Sequence, residues 1–359
     1  MNRFFTKRIG TLMSAFLIIS SASFSQFDNT EFLRAGTVDG LALLEAYVTP
    51  WANAFGAGVN GSWYNTAKPH KLGGFDITFG INVGFVPSSA NTYDVSKIGL
   101  KTFKGTGMAP TISGLNDDGP LITGPTIPGA PGIAPITFRT PPGLNWGMMP
   151  VPTLQAGIGL PLGTELKVRY TPKIPIGDGD FSSWGLGLLH SIMQYIPGEK
   201  VFPFDISLFG GYNKLQGNAP VDLQPDPNGV LKYTSAYPLP FKDQILSAVV
   251  EAWNVGAIGS INLRVITFYG GLGYTGTSST VNMKGNYPMP RVDLAVSTTN
   301  YVYDDAGVLK GFPALEIKNY SGLRANAGLR LKFAFFTIHA DYTWAQYSVL
   351  SAGLGISFR

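Results

Sequence analysis

The chain has 359 residues, and only 13% of them are Asp, Glu, Lys or Arg. Soluble domains carry about 25% charged residues, so a water-soluble protein of this size would lack polar groups for its surface. The 26 basic and 22 acidic residues form no basic patch, which excludes a nucleic-acid-binding protein. The lack of cysteine excludes a disulfide framework and thiol catalysis.

The first residues have the composition of a secretory signal peptide. The apolar stretch Ile9–Ile19 is shorter than the ~20 residues of a membrane-spanning helix, and small residues precede Gln26. The basic residues before this stretch are Arg3, Lys7 and Arg8. We predict that residues 1–25 are a signal peptide, cleaved on export.

Residues 26–72 are predicted to form an N-terminal helix and a plug-like segment. Thr30 is suited to cap a helix over Asn29–Val48, which Pro50 would end. The stretch Trp51–Lys71 is rich in Gly, Asn and aromatic residues and precedes the first strand, so we expect it to fold into a barrel lumen as a plug. A periplasmic lid and the start of the barrel are the alternatives. The apolar side of the helix comprises Phe32, Leu33, Leu41, Leu44 and Tyr47, and the predicted plug or ligand residues are Trp51, Asn53, Phe55, Asn60, Trp63, Tyr64, Asn65, Lys68 and His70.

Residues 73–359 are predicted to form a transmembrane antiparallel β-barrel of about 12–14 strands, an all-β fold. In Phe75–Phe85 every odd position is apolar and every even position is polar or Gly. Side chains alternate between the two faces of a strand, and ~9–11 residues suffice for a tilted strand to cross a bilayer. The same alternation recurs in 165–170, 204–208, 323–332, 336–344 and 350–358, and in the shorter stretch 154–160, whereas 184–196 and 244–255 are mixed and the phase changes near Val265.

A soluble β-sandwich shows the same alternation with its apolar face turned inwards. The low charge, the aromatic residues near strand ends and the aromatic Phe358 beside the C terminus favour the membrane barrel. Its polar face would then line the lumen. The predicted lumen-facing charges are Asp76, Glu165, Lys167, Arg169, Asp205, Arg324, Arg330, Lys332, His339 and Asp341.

Two long loops are predicted, over residues 101–150 and 282–311. The first contains nine of the 26 prolines, which a strand interior disfavours, and we place it on the cell exterior. It also contains Leu121, Ile122, Ile127, Ile133, Ile136 and Phe138. These apolar residues would form a capture surface for a lipid-like ligand, a lid packed over the barrel mouth, or a loop that lies on lipopolysaccharide.

No sequence motif indicates catalysis or a cofactor. His339 and Asp341 share one strand face, which is the minimum for a membrane-embedded hydrolase, but no Ser is placed beside them by the sequence, and a charged lumen network explains the pair equally. His70 and His190 have no partners at metal spacing. We therefore predict no enzyme, no cofactor and no metal.

The run Ala54–Lys71 followed by the strand that begins G-F-D-I-T-F resembles a family of bacterial outer-membrane β-barrel proteins of unknown function. More distantly, the chain is similar to FadL-type fatty-acid transporter barrels. That resemblance implies a plugged 14-stranded barrel, long hydrophobic external loops and uptake of hydrophobic molecules by diffusion. The chain departs from the transporters in two ways. In place of their Asn-Pro-Ala signature, the nearest sequence is Asn65-Thr66-Ala67, and Arg359 follows the terminal aromatic residue.

These features predict a protein of the outer membrane that mediates passive uptake of small hydrophobic molecules. The alternative is a structural or assembly-associated barrel with a closed lumen, which contacts partner proteins. The expected partners are outer-membrane lipid, lipopolysaccharide and a hydrophobic small molecule, with no nucleic acid.

Overall fold

The computed structural model describes residues 31–358 except 177, 198–202 and 238. The predicted signal peptide, Thr30 and Arg359 lie outside these residues. Ten antiparallel strands form a closed barrel in which chain neighbours pair and the last strand pairs with the first. They are β1 (Phe75–Phe85), β2 (Met148–Leu160), β3 (Thr164–Ile176), β4 (Gly179–Ser191), β5 (Phe204–Pro220), β6 (Ile245–Leu263), β7 (Ile266–Lys284), β8 (Leu315–Phe333), β9 (Phe336–Trp344) and β10 (Val349–Phe358).

The predicted class, an all-β antiparallel barrel preceded by a helical segment, is confirmed, but the predicted number of strands is wrong. Strands β5 to β8 have 17 to 19 residues each, so stretches that the sequence pattern divides belong to single strands. The change of phase near Val265 is the turn between β6 and β7, where Arg264 has a φ of 46°. Short strands such as Leu121–Thr123 form two-stranded sheets in the loops.

The barrel is apolar outside and polar inside. On β1, Phe79 is 44% exposed and Asp76 is 6% exposed. On β8, Leu329 is 40% exposed and the next residue, Arg330, is 3% exposed. A soluble sandwich would bury the apolar face between its sheets. The observed orientation excludes the sandwich and is the one that a lipid environment requires.

Aromatic side chains form two belts on the outer surface. At the end where β1 starts and β10 ends, which we call the turn end, the Phe358 ring centre lies 5.1 Å from that of Phe75 and 5.6 Å from that of Phe335. Towards the opposite end, which we call the loop end, Trp253 and Tyr274 stack at 6.1 Å. Other exposed members of this second belt are Tyr170, Trp184 and Trp344. Belts of this kind flank the apolar band of membrane barrels.

An ion pair marks the polar boundary beyond the second belt. Lys214 and Glu251 lie opposite each other on β5 and β6, with Nζ 2.8 Å from the carboxylate oxygen. Both side chains are about two-fifths exposed, and the pair lies one outward position nearer to the loop end than Trp253. Charged groups at this height indicate where the apolar band ends.

A 24-residue helix, α1 (Gly36–Val59), follows a 3-10 turn over Glu31–Ala35. The predicted helix over Asn29–Val48 is therefore wrong at its C-terminal end, and its predicted start at Asn29 lies outside the described residues. Pro50 lies inside the helix, although proline removes one helical hydrogen bond. Contacts with the barrel wall offset this loss, and small residues allow them: a Cβ on Gly84 would lie 2.1 Å from the carbonyl oxygen of Ala54. No helix in the described ranges has both the length and the apolarity to span a membrane.

Three long loops at the loop end pack together over the start of α1 and form a cap. They are residues 86–147, 221–244 and 285–314, so the loop over 221–244 was missed and the predicted bounds 101–150 and 282–311 were wrong. The core of the cap is apolar and joins α1 to all three loops. It includes Leu33, Leu41, Leu44, Phe103, Ile122, Phe138, Leu223, Tyr287 and Phe312.

The apolar residues of the first loop mostly face this core. Ile122, Ile133 and Phe138 are at most 4% exposed, whereas Leu121 is 51% exposed. A capture surface would expose these side chains together. The structure agrees with the alternative of a lid packed over the barrel mouth.

Charged side chains order the edges of the cap. In the third loop, Arg291 donates to both oxygens of Asp304, each at 2.8 Å from its Nε. Asp304 also accepts from the backbone N–H groups of Ala306 and Gly307. The Arg291 guanidinium holds the pKa of the Asp304 carboxyl below its usual value.

The barrel wall contains a seam between β2 and β3. Among the described residues, their pairing stops at Gln155 and Arg169, and beyond this point β2 pairs with β1 alone and β3 with β4 alone. The unpaired edges carry Pro150, Pro152, Pro172 and Pro175. Proline has no N–H to donate to a neighbouring strand, so these edges have fewer donors with which to close the seam. Strand β2 nevertheless begins at Met148, because Pro150 and Pro152 lie where the strand has β1 as its one neighbour.

Candidate functional site

The N-terminal segment passes through the entire barrel. Helix α1 starts in the cap and runs down the lumen to Val59. Residues 60–74 continue to the turn end, where the Gly73 N–H donates to the carbonyl of Gly159 (3.1 Å) just before β1 begins. We call residues 36–74 the plug.

Two arginines of the wall bind the C-terminal end of α1. Arg169 donates to the carbonyls of Val59 (2.8 Å) and Gly61 (2.7 Å), and Arg324 donates to the carbonyl of Asn60 (3.2 Å). The last carbonyls of a helix have no partner within the helix and carry the negative end of its dipole. Arg169 and Arg324 are buried, so the wall supplies positive charge where the helix end needs it.

Amide side chains complete this ring around the helix end. Asn254 donates to the Asn60 carbonyl (3.1 Å), and Asn213 donates to the Val59 carbonyl (3.2 Å). The Asn60 amide in turn donates to Thr275 Oγ1 (2.9 Å). Five strands, β3 and β5 to β8, thus contact one turn of the plug, and each buried carbonyl there has a partner.

Below the helix end, Trp63 fills the middle of the lumen. Its side chain is 1% exposed, and the guanidinium carbon of Arg169 lies 3.8 Å from its ring centre, a cation–π contact. Glycines on the wall make room for the indole: a Cβ on Gly187 would lie 2.9 Å from the ring, and a Cβ on Gly211 would lie 3.0 Å from it. Gln155 donates to the Trp63 carbonyl (3.2 Å).

The extended part of the plug is held by hydroxyl and amide groups. The Tyr64 hydroxyl donates to Asn326 (2.7 Å), and the Ala67 N–H donates to the Ser260 hydroxyl (3.0 Å). Ser207 donates to the Ala67 carbonyl. The plug adds no strand to the barrel, and wall side chains form hydrogen bonds with its backbone at Ala67.

A buried ionic cluster holds the plug at the turn end. His70 Nδ1 lies 2.9 Å from a Glu165 oxygen and 3.8 Å from an Asp76 oxygen, and the Lys167 ammonium contacts the other Glu165 oxygen. His70 Nε2 lies 3.1 Å from the Ser357 hydroxyl. All four charged or titratable side chains are at most 6% exposed, so the cluster is an ion-pair network cut off from water.

The same cluster has ligand atoms for a metal ion. Nδ1 of His70 and one carboxylate oxygen each of Asp76 and Glu165 lie within 4.8 Å of one another. Lys167 already provides a cation beside Glu165, so this carboxylate has a positive partner without a metal. Sequence analysis missed this cluster because its members come from the plug, β1 and β3.

The plug also places a serine beside His339. Ser62 has a φ of 49°, and its Oγ lies 2.7 Å from His339 Nε2. Asp341 does not bind His339 as in a catalytic triad; it accepts from the Tyr269 hydroxyl (3.0 Å). The contact between Ser62 and His339 joins the plug to β9.

The structure puts the predicted plug residues on α1 and the segment below it, and the predicted lumen charges on the inner face. The buried ones are Trp51, Asn53, Asn60, Trp63, Tyr64, His70, Asp76, Glu165, Lys167, Arg169, Arg324, Arg330, His339 and Asp341. Phe55, Asn65, Asp205 and Lys332 are half-buried, and Lys68 is exposed. The uncharged lumen residues Gln155, Asn213, Asn254, Ser260 and Asn326 were missed, although each occupies an inward position of its strand.

The lumen around the plug is tightly packed. Two cavities beside it have volumes of about 10 Å³ each, which is room for about one water molecule. One is lined by Asn60, Tyr320 and Tyr347, among others, and the second by Tyr64 and Phe209, among others. Neither accommodates a solute of the size of a fatty acid.

A closed barrel with an apolar, aromatic-belted exterior and a polar interior defines a β-barrel of the outer-membrane type, here with its own N-terminal segment as an internal plug. The chain belongs to a family of unknown function, DUF6588, whose profile matches residues 5–358. No curated protein matches the sequence.

Several solved outer-membrane barrels are similar to the chain at low identity. The attachment invasion locus protein Ail of Yersinia pestis is 9% identical over 80% of this chain and 98% of its own, with a TM-score of 0.26. The translocator domain of the autotransporter NalP from Neisseria meningitidis is 10% identical over 86% and 92%, with a TM-score of 0.29. A FadL homologue of Pseudomonas aeruginosa is 10% identical over 86% and 96%, with a TM-score of 0.23. Likeness at this level says nothing about binding or activity.

Proposed function

We propose that the protein resides in the bacterial outer membrane after cleavage of its signal peptide, as a barrel with a closed lumen. It acts as a structural or assembly-associated component and contacts partner proteins through its cap, without enzymatic activity. The lumen serves to hold the plug, and the plug serves to order the cap.

The binding of Arg169 and Arg324 to the end of α1 carries this proposal. A pore needs a water-filled lumen, whereas here two buried arginines donate to the three backbone carbonyls at the helix end. Displacement of the plug would break these charged hydrogen bonds and expose to water the side chains that the lumen now buries, such as Trp63. An empty lumen is therefore the less stable state.

Planar-bilayer conductance of the purified full chain tests the closed lumen. The unaltered protein is expected to show no stable conductance steps. The variant Arg169→Ala/Arg324→Ala, which removes the three charged hydrogen bonds to the helix end, is expected to show transient openings. Stable open steps from the unaltered protein would contradict the proposal, and co-purification of a partner that depends on the cap would support it.

Passive uptake of a small hydrophobic molecule is the second candidate, and the seam between β2 and β3 favours it. At the seam the wall lacks strand pairing beyond Gln155 and Arg169, so β2 and β3 can separate there without the loss of backbone hydrogen bonds between them. The plug contributes no strand to the barrel, so it can be displaced with the sheet intact. Uptake would then require the plug to move away from the seam.

A disulfide that fixes the plug distinguishes the two functions. The hydroxyls of Thr66 and Ser260 lie 3.3 Å apart, so the pair Thr66→Cys/Ser260→Cys joins plug and wall. Long-chain fatty acid uptake into liposomes is compared between the oxidised and the reduced form of the same protein. Uptake only in the reduced form would establish transport with a moving plug, and equal background uptake in both forms would support the closed lumen.

A further inference from the structure

The beginning and the end of the plug lie at opposite ends of the barrel. Val38, in the first turn of α1, is 60% exposed, and Leu72, just before β1, is 73% exposed. The neighbour of Val38, Asp39, contacts the first long loop, whereas the neighbour of Leu72, Gly73, binds Gly159 beside the turn end of β2. The segment therefore crosses the barrel once from the loop end to the turn end.

The start of this segment is bound to the first long loop through Asp39. The Asp39 carboxylate, 1% exposed, accepts from the backbone N–H groups of Lys101 (2.7 Å), Thr102 (2.8 Å) and Phe103 (2.7 Å) in the first loop. A carboxylate that accepts three backbone bonds is firmly fixed. Asp39 is therefore part of the cap, together with the first loop.

Arg34 makes the corresponding contacts with the other two loops. It donates to the Tyr303 hydroxyl (2.9 Å) in the third loop and to the Gln224 carbonyl (3.4 Å) in the second. The chain thus enters the molecule among the loop tips and not from beneath the barrel. Since the lumen below is filled, the barrel has no room for a second pass of the chain.

We propose that the N-terminal segment is an additional membrane crossing, with its start displayed on the outer surface of the cell among the long loops and its end on the periplasmic side. In ordinary membrane barrels the short turns face the periplasm and the long loops face outwards. The turn end carries the end of β10, so the two ends of the described chain lie on opposite sides of the membrane. The start of α1 is then part of the surface that the protein offers to partners.

Single-cysteine labelling tests this topology, because the chain contains no cysteine. Val38→Cys and Leu72→Cys are treated with a membrane-impermeant maleimide on intact cells and after permeabilisation of the outer membrane. Asp117→Cys, at an exposed position of the first loop, is the control for the outer face. The unaltered chain measures background, and the heat-dependent gel mobility of each variant shows that it has folded.

Full labelling of Val38→Cys on intact cells, with a more than tenfold increase for Leu72→Cys on permeabilisation, is the expected result. Labelling of Val38→Cys only after permeabilisation would overturn the proposal, whatever Asp117→Cys does. Labelling of Leu72→Cys on intact cells would overturn it as well. The outcome does not depend on whether the lumen ever opens, so it is separable from the conductance result.

Discussion

The guanidinium carbon of Arg169 lies over the indole of Trp63, 3.8 Å from the ring centre, and the same guanidinium donates to the carbonyls of Val59 and Gly61. One wall side chain thus binds the helix end and the aromatic residue below it. Arg169 comes from β3, the strand beside the seam, so the plug is fixed where the wall has the fewest strand pairs.

Arg169→Ala is expected to destabilise the folded protein by about 3–5 kcal/mol, because the buried carbonyls of Val59 and Gly61 lose their charged donor. Unfolding in urea, followed by gel mobility in detergent, measures the change. Lys173→Ala on the same strand is the matched control, since the Lys173 side chain is 70% exposed. Equal stability of the two variants would show that the plug does not depend on Arg169.

Gly187→Ala is expected to destabilise the protein by about 1–3 kcal/mol through overpacking, because its Cβ would lie 2.9 Å from the Trp63 ring. Gly259→Ala is the control, since a Cβ there meets nothing within 4 Å. Combining Gly187→Ala with Trp63→Phe should recover part of the loss, as measured by the same unfolding assay. Absence of any recovery would argue against Trp63 as the group that is displaced.

Glu165→Ala is expected to cost about 3–5 kcal/mol, because Lys167 would remain buried without its carboxylate partner. Lys97→Ala is the control: the Lys97 side chain is 81% exposed in its pair with Asp94, and exposed pairs contribute about 0–1 kcal/mol. The midpoints of thermal unfolding in detergent are compared. A small effect of Glu165→Ala would mean that water reaches the cluster.

Asp39→Asn is expected to loosen the first loop, because a neutral amide is a weaker acceptor for the three backbone N–H groups of residues 101–103. Limited proteolysis of the folded protein should cut within residues 86–147 at least tenfold faster than in the unaltered chain. Asp117→Asn, at an exposed position of the same loop, should leave the rate unchanged. If both variants were cut at the same rate, Asp39 would not order the cap.

The contact of Arg291 with Asp304 predicts a loss of order in the third loop at acid pH. The pKa of Asp304 is lowered in the folded protein, so its stabilisation is present above the unfolded pKa and is lost as the pH falls through the folded value. Hydrogen exchange of the Ala306 and Gly307 amides, corrected for intrinsic rates, should accelerate below about pH 4, the ordinary range of a carboxyl. Asp304→Asn should remove this pH dependence, and its persistence would assign the effect to another group.

Which strand side chains face outwards and which face the lumen was predictable. Apolar and polar residues alternate along Phe75–Phe85, and the exposure of the side chains alternates in the same way. The number of strands was not predictable, because β6 runs through a mixed stretch that shows no alternation. The helix end was misplaced because the local cost of Pro50 is offset by contacts between Gly58, Gly84 and their neighbours across the lumen.

The residues of the candidate site could likewise be predicted only in part. The charged residues of the lumen were predictable from their positions in the alternating strands. Their partners were not: His70 and Glu165 are 95 residues apart in sequence, and Ser62 and His339 are 277 apart. Such contacts depend on the path of the plug, which no periodicity of the sequence encodes.

The most direct test of the account measures which face of the strands contacts lipid. Spin labels at Leu272, Leu323 and Leu354, which are 59–80% exposed, are compared in proteoliposomes with a label at the loop residue Leu115. We expect high collision rates with dissolved oxygen and low rates with a polar nickel complex at the three strand positions, and the reverse at Leu115. Access of the nickel complex to all three strand positions would contradict it.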